Sequence, residues 1–343
     1  MTAGARPRVL VVAREPGAAS ALAPVARQCS ATVIAFHSAI AVFEREGIDT
    51  LRPESDDAPG FAGECIARMH PDVVLTGTSR RELAPRDHAW WRAARAYGIP
   101  SVALLDHWLG YTERFSAAQP FDAVPGIIAV MDDYARDRLV ALGAHDTTIV
   151  VTGQPALDSA MAMRPGNREP DARVALFVSE PIAADLGNAR GYDENTVLGI
   201  LLHALDGTPW RLVVKPHPRE LADCRPERSE GPAFLPSTLS GREAIASANV
   251  VVGMTSVLLL EAALAGLPVL SIQPASREPW TDHFQTLITT VESLEGARAW
   301  LGAQLHRPAL TPAERSGRIR SAGFDERGTA TENVCRLLRT LSA

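Results

Sequence analysis

Short apolar runs alternate along the chain with longer segments of helical periodicity. The first run, residues 8–13, is apolar nearly throughout, as expected of a strand that is buried on both faces. Similar runs recur, and most of them end in a polar turn. The predicted strands are residues 8–13, 32–36, 72–76, 101–105, 127–130, 148–151, 173–178, 210–215, 250–252 and 269–272. Strands that alternate with helices predict parallel βαβ units and a doubly wound α/β sheet.

One polar stretch divides this alternation into two halves of similar size. Residues 163–172 are rich in charged residues, proline and glycine, a composition typical of a linker. We therefore predict an N-terminal α/β domain over residues 1–163 and a C-terminal α/β domain over residues 164–320. Residues 321–343 are predicted to form a C-terminal helix that crosses back to the N-terminal domain.

The motif Lys215-Pro216-His217-Pro218 directly follows one of the predicted strands. Each proline restricts the residue before it to an extended backbone, so the loop is stiff. The motif presents a cation and an imidazole at the carboxyl end of a parallel strand, where open α/β sheets bind ligands. Such a pair suits an anion, for example a nucleotide phosphate. A structural turn with two solvated side chains is the alternative interpretation.

A second candidate group lies at the start of a predicted apolar helix. Thr255 and Ser256 precede this helix, where hydroxyl groups either cap the helix or help its free N–H groups to bind a phosphate. Glu261 is the one carboxylate in the helix, and a buried carboxylate without a partner would be costly. We therefore expect it to face a partner such as a pair of ribose or sugar hydroxyls. Ser179, after another strand, is a further candidate phosphate ligand.

In the N-terminal half, candidate acid–base residues follow two predicted strands. Asp106 and His107 stand side by side after one strand, and Glu15 follows the first strand of the chain. Each could take a proton from an acceptor hydroxyl. Alternatively, Asp106 caps a turn and His107 packs in the core.

Three residues of the same half are candidates for binding the acceptor, the substrate that carries this hydroxyl group. Gly17 lies in a small-residue turn before a helix, where a ligand can approach the backbone, although tight packing explains a glycine equally well. Trp108 and Tyr111 could form an aromatic platform for a sugar, with core packing as the alternative.

Composition excludes several classes of function. The 343 residues carry a formal net charge of −6, which argues against a general nucleic-acid-binding protein. The chain contains neither an Asp-x-Asp motif nor an apolar run of the ~18 to 20 residues that span a bilayer, and its start does not resemble a signal peptide. We therefore predict a cytoplasmic protein without a metal site. The cysteines are widely spaced and are expected to be free thiols: Cys29, Cys65, Cys224 and Cys335.

The chain resembles the GT-B glycosyltransferase superfamily in three features. These are the two α/β halves, the Lys-Pro-His-Pro loop, and a later Thr-Ser/Glu helix that is followed by Gly-Leu-Pro-Val. This resemblance implies two Rossmann-like domains whose parallel sheets face each other across a cleft. Residues 173–290 resemble bacterial capsule and teichoic-acid enzymes, which include polysialyltransferases, Kdo-type transferases and CDP-glycerol glycerophosphotransferases. The N-terminal half resembles them in architecture only.

In those families a His-Pro motif and a Ser-Ser or Ser-Thr motif hold the phosphate of the donor nucleotide. The resemblance therefore implies donor binding by Lys215, His217, Pro218, Thr255, Ser256, Glu261 and Ser179. Glu261 resembles the glutamate that binds ribose or sugar hydroxyls in many GT-B enzymes. The chain has Thr255 in place of the first serine, and it lacks the acidic base motif of polysialyltransferases. The choice of base among Asp106, His107 and Glu15 stays open.

The resemblance implies a metal-independent glycosyltransferase that moves a sugar from a nucleotide-activated donor to a small-molecule or glycan acceptor without a further cofactor. It would serve polysaccharide or natural-product biosynthesis in a bacterium, and the chain could form a homodimer. Non-hydrolysing nucleotide-sugar 2-epimerases share the fold, although residues 253–256 and 276–279 match their Asp-Ser-Gly-Gly and Thr-Glu-Arg-Pro-Glu segments poorly. A non-catalytic nucleotide-sugar-binding protein is the third possibility.

Overall fold

A computed structural model describes residues 7–56, 58–163, 173–220, 231–236, 238–325 and 327–342. The chain divides into two compact units. Unit 1 comprises Met1–Ser159 and Arg327–Ala343, and unit 2 comprises Ala160–Glu326. The first segment of unit 1 thus ends four residues before the predicted end of the N-terminal domain. Most of the predicted linker, and Cys224, lie outside the described residues.

Twelve strands are assigned within the described residues. They are β1 (Val9–Ala13), β2 (Thr32–Ala35), β3 (Val73–Thr76), β4 (Ser101–Leu104), β5 (Ile127–Val130), β6 (Thr148–Val151), β7 (Val174–Val178), β8 (Arg211–Lys215), β9 (Ala233–Phe234), β10 (Val250–Gly253), β11 (Val269–Ile272) and β12 (Thr289–Val291). The ten predicted strands are confirmed, each with ends within one residue of the expected position. The short strands β9 and β12 were not predicted.

Fifteen helices connect or flank these strands in the described part of the chain. They are α1 (Pro16–Cys29), α2 (Ser38–Arg45), α3 (Phe61–Met69), α4 (Ala84–Ala96), α5 (Tyr111–Arg114), α6 (Asp133–Ala141), α7 (Pro155–Ala162), α8 (Ile182–Leu186), α9 (Glu194–Leu205), α10 (Gly241–Ala246), α11 (Val257–Leu264), α12 (Pro279–His283), α13 (Leu294–Gln304), α14 (Pro312–Ser321) and α15 (Ala330–Leu341). The short helix α8 ends before Gly187, which has a positive φ.

Each unit contains one six-stranded sheet in which every pair of neighbouring strands is parallel. The strand orders are β2-β1-β3-β4-β5-β6 in unit 1 and β12-β11-β10-β7-β8-β9 in unit 2. All five residues of β1 and all five of β7 are buried, which explains why these central strands read as continuous apolar runs. The expected α/β architecture with two parallel sheets is therefore confirmed.

The strand order places one topological switch point in each sheet. In unit 1 the chain leaves β1 toward β2 and then returns to the opposite side of β1 with β3. In unit 2 it leaves β7 toward β8 and β9 and then returns to the opposite side of β7 with β10. Crevices outside the carboxyl ends of such strand pairs are the usual ligand sites of doubly wound sheets.

The last helix, α15, completes unit 1. Its apolar side chains Val334 and Leu338 are fully buried in the same core cluster as the α1 residues Leu22 and Val25. The carboxylate of Asp158 accepts hydrogen bonds from the backbone N–H groups of Ala330 (3.2 Å) and Thr331 (2.8 Å), so it satisfies donors that the first turn of α15 leaves unpaired.

Candidate functional site

The candidate donor residues of unit 2 follow three neighbouring strands. Ser179 follows β7, His217 lies just after β8, and Thr255 and Ser256 follow β10. Because these strands are adjacent and parallel, their carboxyl ends lie along one edge of the sheet. The switch point between β7 and β10 lies within this group.

Glu220 organises the loop that follows β8. Its carboxylate accepts hydrogen bonds from the Ser179 hydroxyl (2.6 Å) and from the backbone N–H of His217. Burial raises the pKa of Glu220, and these two hydrogen bonds oppose the increase. The loop is thus fixed to the end of β7 by one side chain.

The imidazole of His217 is oriented by its own loop. The backbone N–H of Arg219 donates a hydrogen bond of 3.2 Å to Nδ1, so the ring proton is assigned to Nε2, which becomes a donor. The Arg219 side chain makes two hydrogen bonds of 2.6 Å to the carboxylate of Asp185. Pro218, between these residues, restricts His217 to an extended backbone.

Lys215, the first residue of the predicted anion-binding pair, is buried. Its Nζ donates a hydrogen bond of 2.7 Å to the carbonyl oxygen of Pro216, within the same loop. The structure therefore places its charge beneath the loop. Its contribution to binding would be a positive potential at the sheet edge, because the ammonium group is engaged inside the protein.

The carboxylate of Glu180 lies at the start of α11. It accepts hydrogen bonds from the backbone N–H of Thr255 (2.6 Å) and from the Thr255 hydroxyl (2.8 Å). Ser256 is the N-cap residue of α11, and its hydroxyl accepts a hydrogen bond of 3.3 Å from Leu258 N–H. Capping, one of the two roles considered for these hydroxyls, is thus present for Ser256. An acidic side chain already occupies a place where a phosphate was expected.

Arg190 extends this polar network. Its guanidinium donates a hydrogen bond of 2.8 Å to the Thr255 hydroxyl oxygen and forms an ion pair of 2.9 Å with Glu278. Burial raises the pKa of Glu180, opposed by the hydrogen bonds from Thr255 and the charge of Arg190. Burial likewise raises the pKa of the Tyr192 phenol to about 12, with Arg190 opposing. Arg190 therefore connects Thr255, at the switch point of unit 2, with Glu278, in the segment after β11.

Glu261 lies deeper on α11 and is 7% exposed. The guanidinium of Arg242 lies close to it, with Nε 3.8 Å from a carboxylate oxygen. Burial raises the pKa of Glu261 from 4.5 to about 7, and the charge of Arg242 only partly offsets this effect. The partner expected for this carboxylate is thus at least in part a protein side chain.

In unit 1, Asp106 and Gly17 come together at the sheet edge. The Asp106 carboxylate accepts hydrogen bonds from the Thr78 hydroxyl (3.2 Å) and from Arg114, with which it forms an ion pair of 3.0 Å. A Cβ atom on Gly17 would lie 2.5 Å from the other carboxylate oxygen. Gly17 therefore leaves room for Asp106, which is the packing role considered for it. The neighbouring His107 is partly exposed.

Glu15 connects the segments that follow β1 and β3 on either side of the switch point of unit 1. Glu180 connects the segments after β7 and β10 of unit 2 in the same way. The carboxylate of Glu15 accepts a hydrogen bond of 2.9 Å from the backbone N–H of Arg80, in the segment after β3. Glu15 and Glu180 each lie two residues beyond the first strand of their unit, and each precedes a proline. This repeated Glu-Pro is the sequence signal by which Glu180 could have been found.

The two candidate aromatic residues of unit 1 are buried. Trp108 is 2% exposed, and its Nε1 donates a hydrogen bond of 2.9 Å to Asp132, the N-cap residue of α6. Tyr111 is 6% exposed, and burial raises the pKa of its phenol. Both side chains thus contribute to the packing of unit 1, the alternative that the sequence left open.

A buried ion cluster behind β1 was not predicted. Arg14 is fully buried, forms an ion pair of 2.5 Å with Asp87, and also pairs with Asp56. Its guanidinium lies 4.9 Å from the centre of the Phe36 ring. Burial raises the pKa of Asp87 to about 6, although the charge of Arg14 opposes the increase. The cluster anchors the residue immediately before Glu15.

Among the described residues, no three His, Cys, Asp or Glu side chains are grouped so that they could hold a metal ion. In the same part of the chain, no helix combines the length and the apolar composition needed to cross a membrane.

Comparison with known proteins identifies the fold. No family model and no curated protein matches the sequence. Solved structures that match include the UDP-GlcNAc 2-epimerase of Methanocaldococcus jannaschii in complex with UDP-GlcNAc and UDP (TM-score 0.68, 12% identity, 97% of this chain and 99% of that chain). A second is the UDP-GlcNAc 2-epimerase of Neisseria meningitidis bound to UDP-GlcNAc (TM-score 0.66, 13% identity, 97% of this chain and 100% of that chain). A third is the glycosyltransferase of kitacinnamycin (TM-score 0.62, 14% identity, 98% of this chain and 100% of that chain). The chain has the GT-B fold.

The raised pKa of Glu261 predicts a pH-dependent stability difference between the protein and its Glu261→Gln variant. As pH rises from 4.5, the unfolded chain releases the Glu261 proton before the folded protein does, so this group lowers the free energy of unfolding until about pH 7. The variant has no titrating group at this position, so its free energy of unfolding does not fall in this way. We expect its stability relative to wild type to increase by about 3 kcal/mol between about pH 4.5 and about pH 8.

Urea unfolding at both pH values measures this difference. Glu295→Gln, which removes an exposed carboxylate of α13, serves as the control and should show no such change. A pH-independent difference for Glu261→Gln would contradict the assignment of a raised pKa.

Proposed function

We propose that this chain is a nucleotide-sugar enzyme whose nucleotide binds at the carboxyl ends of β7, β8 and β10. One observation carries the proposal: the consecutive residues Ser179 and Glu180 connect the two candidate phosphate-binding segments. Ser179 is linked through Glu220 to His217, and Glu180 is hydrogen-bonded to Thr255. The two segments therefore meet at the switch point of one sheet, where doubly wound folds bind nucleotides.

The structural comparisons support the same substrate class. Two of the three similar structures described above are complexes with UDP-GlcNAc, one of them also with UDP, and the third is a glycosyltransferase. The similarity in each case spans at least 97% of this chain, so it includes both units. It does not distinguish transfer from epimerisation.

In the proposed complex, unit 2 binds the phosphates of the donor through three kinds of group. His217 donates from Nε2 to a phosphate oxygen, and Ser256 with the N-terminus of α11 provides further donors. Lys215 adds positive potential from beneath the loop. Donors fixed in advance stabilise the charge that develops on the phosphate when the bond to the sugar breaks. Glu261 is assigned to hydroxyl groups of the ribose or sugar.

We propose glycosyl transfer to a hydroxyl group as the reaction. It requires a base, for which unit 1 offers Asp106, His107 and Glu15. Asp106 is held by Arg114 and Thr78, which suits a residue that orients a substrate group. Glu15 forms an ion pair of 3.6 Å with Arg80. Within transferases, the His217-Pro218 and Thr255-Ser256 pairs favour the capsule and teichoic-acid type.

Nucleotide binding should depend on His217. We expect at least one of UDP, CMP, CDP, GDP and dTDP to raise the melting temperature of the protein, and His217→Ala to abolish that shift because a fixed donor is lost. Differential scanning fluorimetry with each nucleotide measures the effect. His203→Ala, which changes an exposed histidine of α9, is the matched control and should behave like wild type.

A complete absence of a shift with all five nucleotides, in wild type and in the control, would refute the proposed substrate class. A shift that survives in His217→Ala would instead leave the substrate class standing and remove His217 from the site.

Epimerisation is the second candidate, because two of the similar structures are 2-epimerases with TM-scores above that of the glycosyltransferase. Incubation with UDP-GlcNAc or another bound nucleotide sugar, without an acceptor, separates the reactions. A transferase should give free nucleotide and free sugar at a slow rate, whereas an epimerase should give a new nucleotide sugar. Proton NMR of the anomeric signals distinguishes the products, and rapid conversion to an isomer would overturn the transferase proposal.

The position of Glu180 predicts a gain of affinity on neutralisation. If a phosphate binds at the N-terminus of α11, it meets the Glu180 carboxylate there, so Glu180→Gln should remove a repulsion while the amide oxygen still accepts from Thr255 N–H. We expect the Kd of the bound nucleotide to fall by about tenfold, or about 1.4 kcal/mol. Calorimetric titration measures it, with Glu295→Gln as the control for net charge. Unchanged or weaker binding would place the phosphates elsewhere.

A further inference from the structure

Two thiols of unit 1 lie in contact where α15 packs on α1. Cys29 is the last residue of α1, and Cys335 lies in the middle of α15, 306 residues later in the chain. Their sulfur atoms are 3.0 Å apart. A disulfide bond is about 2.05 Å long, so an approach of about 1 Å would bring the two sulfurs to bonding distance.

This contact belongs to a packed interface between two helices. Val334 and Leu338, on either side of Cys335, are fully buried in the core cluster to which α1 contributes. At the other end of α15, Asp158 holds the first turn through two backbone N–H groups. The backbone positions of both cysteines are therefore fixed by helices, and only side-chain rotation and small helix shifts are needed to join them.

The two thiols differ in accessibility and acidity. Cys29 is partly exposed, whereas Cys335 is fully buried. The hydrogen bond between them, together with the positive charge of Arg339, lowers the pKa of Cys29 despite its burial, and the same hydrogen bond raises the pKa of Cys335. Cys29 is therefore the thiol that attacks an oxidant, and Cys335 is the thiol that resolves the product.

We propose that Cys29 and Cys335 form a reversible intramolecular disulfide and that the oxidant is a low-molecular-weight disulfide of the glutathione class. The Cys29 thiolate attacks one sulfur of the oxidant, forms a mixed disulfide and releases one small thiolate, which takes up a proton. Cys335 then loses its proton, and its sulfur attacks the sulfur of Cys29. The second small thiol leaves. The protein has lost two electrons and two protons, and the oxidant has gained them.

The cross-link would connect the C-terminal helix covalently to the helix that begins beside the switch point of unit 1. Because α1 carries Gly17 at its other end, against the Asp106 carboxylate, the bond would add a constraint to a helix that positions candidate catalytic groups. Reduction by the corresponding small thiol would remove that constraint.

The test uses the full-length protein under native conditions. Incubation of the reduced protein with oxidised glutathione should lower the intact mass by about 2 Da, and peptide mapping without reduction should recover one cross-linked peptide pair that contains Cys29 and Cys335. The melting temperature of the oxidised protein should rise on the order of several degrees, because the bond closes a very long loop of the unfolded chain.

Variants identify each step. Cys335→Ser removes the resolving thiol, so it should stop at the mixed disulfide on Cys29, with a mass gain of about 305 Da. Cys29→Ser should neither cross-link nor gain stability. The double variant Cys65→Ser/Cys224→Ser retains the pair and should behave like wild type.

A wild-type protein that stays fully reduced, or that cross-links only after denaturant is added, would overturn the proposal. A cross-link that involves Cys65 or Cys224 in place of the proposed pair would overturn it as well.

Discussion

In each parallel sheet, one glutamate connects by a hydrogen bond the two chain segments that diverge at the switch point. When the two central strands of a doubly wound sheet diverge to opposite sides, the backbone donors beyond their carboxyl ends have no strand partner and must be satisfied by other groups. In unit 1 the carboxylate of Glu15 accepts from Arg80 N–H, and in unit 2 the carboxylate of Glu180 accepts from Thr255 N–H. These two hydrogen bonds fix the segments on which the candidate ligand-binding residues lie.

Burial gives these carboxylates their chemical character. Glu180 and Glu220 follow strands of unit 2, Glu261 lies on α11, and burial raises the pKa of each. The groups that offset the cost of burial differ. Glu180 and Glu220 accept backbone hydrogen bonds, whereas the partner of Glu261 among the described residues is the more distant charge of Arg242. A buried carboxylate with few donors is the one that gains most from a ligand hydroxyl group. Of the three, Glu261 is therefore the first candidate for a contact with the proposed donor.

The sequence was sufficient to predict the sheet architecture, because buried parallel strands and their polar ends are local patterns. It also predicted that Ser179, His217, Thr255 and Ser256 follow strand ends, and the carboxyl ends of parallel strands share one sheet edge whatever the strand order. It could not reveal the contact between Glu180 and Thr255, which are 75 residues apart, or the pairing of Arg190 with Glu278. Such contacts depend on which strands become neighbours and on side-chain rotamers, and neither property follows from spacing in the chain.

The return of the chain to unit 1 has a practical consequence for dissecting the protein. Unit 1 is discontinuous, since its core combines Met1–Ser159 with Arg327–Ala343. A fragment that ends near residue 159 would expose the apolar surface of α1 that Val334 and Leu338 cover, and would be expected to aggregate. Separate expression of the two halves therefore calls for a circular permutation or a short designed connection that joins residue 159 directly to residue 327, rather than for simple truncation.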